Sequence, residues 1–214
     1  MPEINLHNMD CMEGLRDTPD KFYELAIVDP PYGAGDKLMS IGNAYEKNYK
    51  TFENKKPDKK YFDELFRVSK NQLIWGGNYF TSFLYETNAW IFWDKNNGES
   101  KGSDGELAWT SLDILLKKFK IHWTGSASLW EDTHGKIHPT QKPVALYKWL
   151  LTKYAKQGDK ILDTHLGSGS IAIACYDLGF DLTGYEIDKD YFEAMTKRFE
   201  KHKQQLTLDL KGIA

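Results

Sequence analysis

The stretch "ELAIVD", residues 24–29, does most to limit what this chain can fold into. Leu25 to Val28 are apolar without a break. A strand with one wetted face alternates apolar and polar residues, whereas an unbroken run is buried on both faces, as in a parallel sheet covered by helices. "NQLIWGG", "NAWIFWD" and "KILDT" read as buried strands too, and "INLHNMD" and "DLTGYEI" as two further strands. Helical segments lie between them. A short one covers "CMEGLRDT" and is ended by Pro19. Another opens at Pro57 and carries Tyr61, Phe62, Leu65, Phe66 and Val68 as its apolar stripe. Further helices are predicted over "NYFTSFLYE", from Pro143 with Val144, Tyr147, Leu150, Leu151 and Tyr154, over "IAIACYDLG", and from about Tyr191 onward. "LAWTSLDILLKKF" reads as a strand running into a helix, and "IHWTGSASLW" as extended. Strands alternating with helices over 214 residues specify an α/β fold, one domain spanning 1–214, with a mostly parallel central sheet flanked by helices.

Ligands of such sheets bind beyond the carboxyl ends of the strands, so residues that close strands are the first functional candidates. Two notable strand ends are Asp29 and Asp163. After Asp163, Gly167 and Gly169 stand between a strand and a helix, a turn that lets a ligand approach the backbone near a helix N-terminus. The spacing Gly167, Gly169, Ala172 fits the Ala-ending dinucleotide fingerprint, and Glu186 closes the next strand where a ribose-binding acid belongs. A tight turn that needs small residues is the alternative, and the strand–turn–helix context favours a ligand over it. Adenosine with an acid on its ribose is common to NAD and S-adenosylmethionine (SAM), so the turn alone does not choose between them.

Asp29 is followed by Pro30, Pro31 and Tyr32. A strand-end turn with a satisfied aspartate explains this adequately. A chemical reading explains it better once an adenosine-binding turn shares the chain. The amine of a nucleobase is planar and a poor nucleophile. A carboxylate and a backbone carbonyl that accept its two hydrogens direct its lone pair at an electrophile. Two prolines carry no competing N–H, and a tyrosine ring can stack on a base flipped out of a duplex.

Composition bounds the partners. The net charge of −3 argues against a surface that grips nucleic acid all over. Lysines are nevertheless concentrated in residues 46–60, six Lys against Glu46, Glu53 and Asp58, and in residues 117–142, five Lys against Glu131 and Asp132. Two cysteines, Cys11 and Cys175, supply neither a disulfide framework nor a metal-binding pair, and favour a reducing cytoplasm. No apolar run reaches membrane-spanning length. Residues 33–57 form a long polar loop, and about 96–137 a second region with little regular pattern.

Four motifs in order, "DPPY" at 29–32, "HPTQKP" at 138–143, "LDTHLGSGS" at 162–170 and "GYEID" at 184–188, resemble those of the amino-directed DNA methyltransferases. "NMDCMEGL", residues 8–15, is similar to the segment before that family's catalytic strand. The catalytic motif precedes the glycine turn, which resembles the permuted beta-class arrangement, and the likeness spans nearly the whole chain. It implies a Rossmann-like methyltransferase domain with SAM as cofactor, DNA as partner and a possible homodimer; no metal is expected, since His134, His138 and Cys175 form no recognisable ligand spacing. It further implies catalytic roles for Asp29, Pro30, Pro31 and Tyr32, with the DPPY form leaning toward adenine. At the cofactor it implies Asp163, His165, Leu166, Gly167 and Gly169 in the turn and Glu186 on the ribose. Asp10 and Cys11 belong beside the adenine ring, and Thr140 and Lys142 near the SAM carboxylate. Residues 33–57 become an active-site and DNA loop, and 96–137 a small target-recognition region. Lys47, Lys50, Lys55, Lys56 and Lys136 are the expected DNA contacts, with Trp109, Trp123 and Trp130 at phosphates or groove edges unless they are core.

The chain departs from the family where Thr164-His165 replaces the usual Pro-Phe, and in having only short regions for reading a target. A cytosine or RNA acceptor, an NAD-dependent oxidoreductase and a non-catalytic nucleic-acid-binding module remain as alternatives. The NAD reading leaves "DPPY" and "HPTQKP" unexplained, and the binding-module reading has no use for an intact catalytic motif.

Overall fold

The unbroken apolar run is a central strand. β2 (Tyr23–Val28) pairs in parallel with β3 (Ser69–Trp75) on one side and β7 (Lys160–Asp163) on the other. The remaining strands are β1 (Ile4–His7), β4 (Trp90–Asp94), β5 (Gly105–Thr110), β6 (Lys117–Lys120) and β8 (Asp181–Tyr185). They form one sheet of order β1-β8-β7-β2-β3-β5-β4-β6. Among the described strands only β5 runs against its neighbours, antiparallel to both β3 and β4. The computed structural model describes residues 1–33, 55–98, 103–123 and 136–211, with side chains to residue 205.

β2 needs apolar residues on both faces because both are covered. Leu25 and Ile27 pack with Leu150 and Leu151 of α3 (Val144–Tyr154), Ile171 of α4 (Ser170–Leu178) and Met195 of α5 (Lys189–Lys211). Ala26 and Val28 pack with Leu15 of α1 (Cys11–Arg16) and with Phe62 and Leu65 of α2 (Lys59–Val68). The result is the three-layer α/β architecture that the alternation of elements predicts. Among the described residues no helix is long and apolar enough to cross a membrane.

Several local expectations give way to other structure. α2 starts at Lys59 and not at Pro57, because the Asp58 side chain accepts from the Tyr61 backbone N–H and caps the helix there. "NYFTSFLYE" forms no α-helix; a single 3-10 turn, Gly77–Tyr79, is followed by further turns. "LAWTSLDILLKKF" is a strand, an irregular stretch and a second strand, with Leu115 and Leu116 exposed. β4 buries alternate residues, Ile91 and Trp93, and is covered less completely than its composition suggests. Trp109 and Trp123 are core residues, 1% and 8% exposed, and not DNA contacts. Trp109 packs among Phe66, Tyr85 and Ile74, and its indole N–H donates to the Tyr85 carbonyl at 3.0 Å. Trp130 and most of the 33–57 loop lie outside the described residues.

One turn connects the sheet to the DPPY segment. Beyond β3 the chain reverses at Gly76 with φ 66°, a conformation glycine adopts freely. A Cβ there would stand 2.1 Å from Cε1 of Tyr32, so the glycine also makes room for that ring. Gly76→Ala is expected to cost about 1–3 kcal/mol from strain and overpacking together. Scanning calorimetry would read this as a lowered Tm, and an unchanged Tm would mean that the ring does not rest on this turn.

Candidate active site

Asp29 follows β2 directly, and the chain itself engages both of its carboxylate oxygens. Oδ1 accepts a hydrogen bond from the Tyr32 hydroxyl at 2.7 Å. Oδ2 accepts from the ammonium of Lys142. Lys142 is 3% exposed, and its Nζ also lies 3.0 Å from Oε2 of Glu106. The other oxygen of Glu106 is 2.8 Å from Nζ of Lys95. The four side chains form an alternating line of charge: Asp29, Lys142, Glu106, Lys95. Indole rings flank both cations, with Lys142 5.4 Å from the Trp75 ring centre and Lys95 5.1 Å from that of Trp93. Burial opposes the charge on Glu106, but Lys142 and Lys95 outweigh it and hold the carboxyl down at about 2. Burial likewise opposes the charge on Lys142, and Asp29 with Glu106 more than restores it, so its pKa is raised. A buried charge persists only when paired in this way.

Tyr32 presents its ring to Tyr79, stacked at 4.9 Å between centroids with planes 14° apart. Phe80 meets it edge-on at 6.1 Å. Burial first, then the Asp29 charge, raises the Tyr32 pKa well above the ordinary phenol value, so the hydroxyl is a donor. Pro30 is buried and Pro31 half-buried, and neither brings an N–H to the site.

The glycine turn lies beyond β7, the strand next to β2. Gly167 N donates to Oε2 of Glu186 at 2.8 Å, and Leu166 N donates to the Tyr185 carbonyl at 2.9 Å, so the turn is tied to the end of β8. Oε1 of Glu186 accepts from Asp188 N at 2.9 Å. Gly169 caps α4 with φ 70°, where a Cβ would meet Cγ of Met195 at 2.2 Å. Asp163 is 2% exposed and accepts from the His165 backbone N–H at 2.9 Å. Burial, aided by the charges of Asp29 and Glu186, pushes its carboxyl up to about 8 despite that N–H and Lys142. Burial brings the His165 imidazole down to about 4, leaving it neutral beside Thr164, whose Oγ1 is 2.9 Å from Nδ1. The Tyr61 hydroxyl reaches the same Thr164 oxygen at 2.7 Å and its ring meets His165 edge-on. Asp10 caps α1 by accepting from Met12 N at 2.9 Å, and burial beside it pushes the Cys11 thiol up to about 12.

The segment 138–142 bridges the two clusters. His138 lies over the turn, its ring 3.5 Å from the point where a Gly167 Cβ would stand. Its Nδ1 is 3.1 Å from Oγ1 of Thr140. Burial and the nearby charges of Lys142 and Lys136 keep its pKa down at about 4. Lys142, expected at the cofactor's carboxylate, has its ammonium at Asp29 and Glu106. Its carbonyl accepts from Oγ of Ser170 at 2.7 Å, and Arg198 of α5 donates to Ser168 O at 2.6 Å and to Ser170 Oγ at 3.1 Å.

Sequence motifs did not single out Glu106, Lys95, Tyr61, Tyr79 or Arg198. Arg198 left a signal, a charged residue on the apolar stripe of Tyr191 and Met195, whereas Glu106 and Lys95 look like ordinary surface charges. Of the lysines expected on DNA, Lys55 is exposed. The Lys56 ammonium bonds the Tyr79 carbonyl and lies over the Phe80 and Phe83 rings. Lys136 is half-buried, its pKa lowered by burial and by Lys95. Lys47 and Lys50 lie outside the described residues.

The acceptor set suits an adenosine that carries positive charge. β1, β8 and β7 are consecutive in the sheet, and Asp10, Glu186 and Asp163 stand just past or at their carboxyl ends. Three acids can accept from ribose hydroxyls and an ammonium. They do not suit a pyrophosphate, which needs donors and positive potential.

Known proteins point the same way. A family model described as DNA methylase, covering N6 and N4 methyltransferases, matches residues 87–197. The Type II methyltransferase M.HpaI of Haemophilus parainfluenzae is 26% identical over 89% of this chain and 72% of its own length. The Type II methyltransferase M2.DpnII of Streptococcus pneumoniae is 36% identical over 84 residues, 39% of this chain and 31% of its own. Among solved structures, the M1.HpyAVI–SAM complex has a TM-score of 0.60 at 19% identity, over 91% of this chain and 98% of that one. The PvuII cytosine-N4-specific DNA methyltransferase has a TM-score of 0.62 at 14% identity, over 95% and 91%. These structures share the fold, and the family model, matching over half of the residues, carries the assignment: the chain belongs to the N6/N4 DNA methylase family and is a DNA methyltransferase of that class.

Proposed function

We propose that the protein transfers a methyl group from SAM to the exocyclic amine of adenine in DNA, with the base flipped out of the duplex. The observation that carries this reading is the adjacency of β2 and β7. Their parallel pairing, Ala26 beside Leu162, puts the Asp29 carboxylate next to the turn that begins at Asp163. An acceptor for an amine hydrogen and a cradle for adenosine thus share one rim of the sheet.

SAM, when bound, would supply the methyl group and leave as the neutral thioether, the methylated amine giving up one proton to solvent; the chain binds and orients. Glu186 accepts from the ribose hydroxyls, Asp10 and Cys11 flank the adenine ring, and Leu166, Gly167 and Gly169 shape the turn against which the cofactor lies. Asp163 faces the positively charged methionine end, with His165 as a neutral flat surface and Thr140 nearby. Asp29 accepts one hydrogen of the target amine and the Pro30 carbonyl the other, which directs the nitrogen lone pair outward. Tyr32 stacks on the base, and its hydroxyl keeps the Asp29 carboxylate oriented. Lys55, with Lys47 and Lys50, meets phosphates. Most of the rate enhancement then comes from positioning and prearranged acceptors. The DPPY form supports adenine over cytosine.

Two measurements test these assignments. Asp29→Ala should bind SAM as the parent does in calorimetry while losing at least about a hundredfold in methyl transfer. Mass spectrometry of a nucleoside digest of plasmid DNA treated with the parent enzyme should show N6-methyladenine; N4-methylcytosine instead would move the specificity to the other base.

Asp163 supplies a stability test with a definite sign. Its folded pKa lies above the unfolded value, so its contribution to stability is fully present below about pH 4 and is lost as pH rises toward about 8. Asp163→Asn keeps the acceptor for His165 and removes that ionisation. It should raise the Tm of the cofactor-free protein at pH 8 by roughly 2–4 °C per kcal/mol recovered, raise it less at pH 5, and weaken SAM binding. A variant no more stable at pH 8 than the parent would show that the carboxyl ionises without cost.

A further inference from the structure

We infer that Glu106 is a positioning residue for methyl transfer, one that shares Lys142 with Asp29 and thereby sets how tightly the acceptor carboxylate is held. The inference rests on the role proposed above for Asp29.

The geometry places one buried ammonium between two carboxylates. Lys142 bonds Oδ2 of Asp29 and lies 3.0 Å from Oε2 of Glu106, with the Trp75 ring on another side. Both oxygens of Asp29 are therefore in use before any base arrives, one by Tyr32 and one by Lys142. A carboxylate has about four lone-pair sites, so an amine N–H can still be added. How good an acceptor it remains depends on how much of its charge Lys142 has taken up. Glu106 draws the ammonium away from Asp29, and Lys95 draws Glu106 away from Lys142. The strength at Asp29 is thus set three residues down the line.

Glu106 is well placed for such a task. It belongs to β5, the reversed strand, where it pairs with Trp93 of β4, and two residues on Ala108 pairs with Trp75 of β3. Sheet register on both sides holds a strand residue more firmly than a loop would. The other titratable groups that face Asp29 are Tyr32, Tyr61, Tyr147 and Asp163. All four have raised pKa values and keep their protons through the acid and neutral range. Lys142 and Glu106 are then the charges Asp29 responds to.

The test is the pH dependence of single-turnover methylation at saturating SAM and DNA, with SAM binding measured alongside. Glu106→Gln removes a negative charge and leaves Lys142 to Asp29 alone. Its rate should fall about tenfold or more, SAM binding should hold, and the acid limb of the profile should move to lower pH. Lys95→Met removes a positive charge, so its acid limb should move to higher pH. Glu106→Asp should recover part of the rate. Opposite displacements are not produced by general loosening of the fold. Parental rate and acid limb in Glu106→Gln, or displacement of both variants in the same direction, would overturn the inference. If Glu106→Gln fails to bind SAM, an unmoved acid limb in Lys95→Met overturns it instead. Asp29→Ala separates the two levels: full activity there defeats the proposed function itself, whereas an inactive Asp29→Ala beside an unaltered Glu106→Gln removes Glu106 alone.

Discussion

The ion pair between Lys142 and Asp29 is the contact on which the rest of the site depends. It joins the end of the central strand to a segment more than half the chain away, and it does so in a buried place. Removing one partner of a buried pair leaves an uncompensated charge, at a cost of about 3–5 kcal/mol. The segment is therefore drawn into place by charge as well as by packing. Its backbone is held at the same time to the glycine turn, through the Lys142 carbonyl, Ser170 and Arg198. One short motif, "HPTQKP", thus meets the cofactor turn with His138 and the acceptor carboxylate with Lys142.

The electrostatics of the two clusters differ in a useful way. At the cofactor turn the deeply buried groups are neutral at pH 7: His165 and His138 have lost their protons, and Asp163 has kept its own. Around Asp29 the charges are retained and arranged in alternation. A pocket whose buried groups are neutral suits reversible binding, because no unpaired buried charge is left behind when the ligand departs. A fully charged line suits a carboxylate that has to stay an acceptor throughout.

Much of this was legible from sequence where the signal is local. The unbroken run Leu25 to Val28, the glycines after Asp163 and the helix from Pro143 depend on neighbouring residues, and all appear where the pattern puts them. The middle of the chain was harder. The second half of "LAWTSLDILLKKF" has helix-forming residues, but pairing of β6 with β4 overrides that preference. Tryptophans were candidates for DNA because composition cannot tell an aromatic core from an aromatic surface, and sheet packing decides for Trp109 and Trp123. Glu106 and Lys95 were invisible because a buried charge is recognised by its partner, and the partner is distant in sequence. Lys142 stands in a recognisable motif, "HPTQKP", yet its contact with Asp29 is visible only in the folded chain.

The strand order has a consequence for how the protein is made. β1 finds its neighbour only in β8, and β2 gains its second only in β7. A ribosome that has released Val28 has to continue to Lys160 before that edge is covered, on the order of ten seconds of synthesis. Until then the DPPY segment hangs on an open sheet edge without the glycine turn. A chain stalled before β8 would display sticky strands and no assembled site, so methylation can begin only after the chain has emerged past Tyr185.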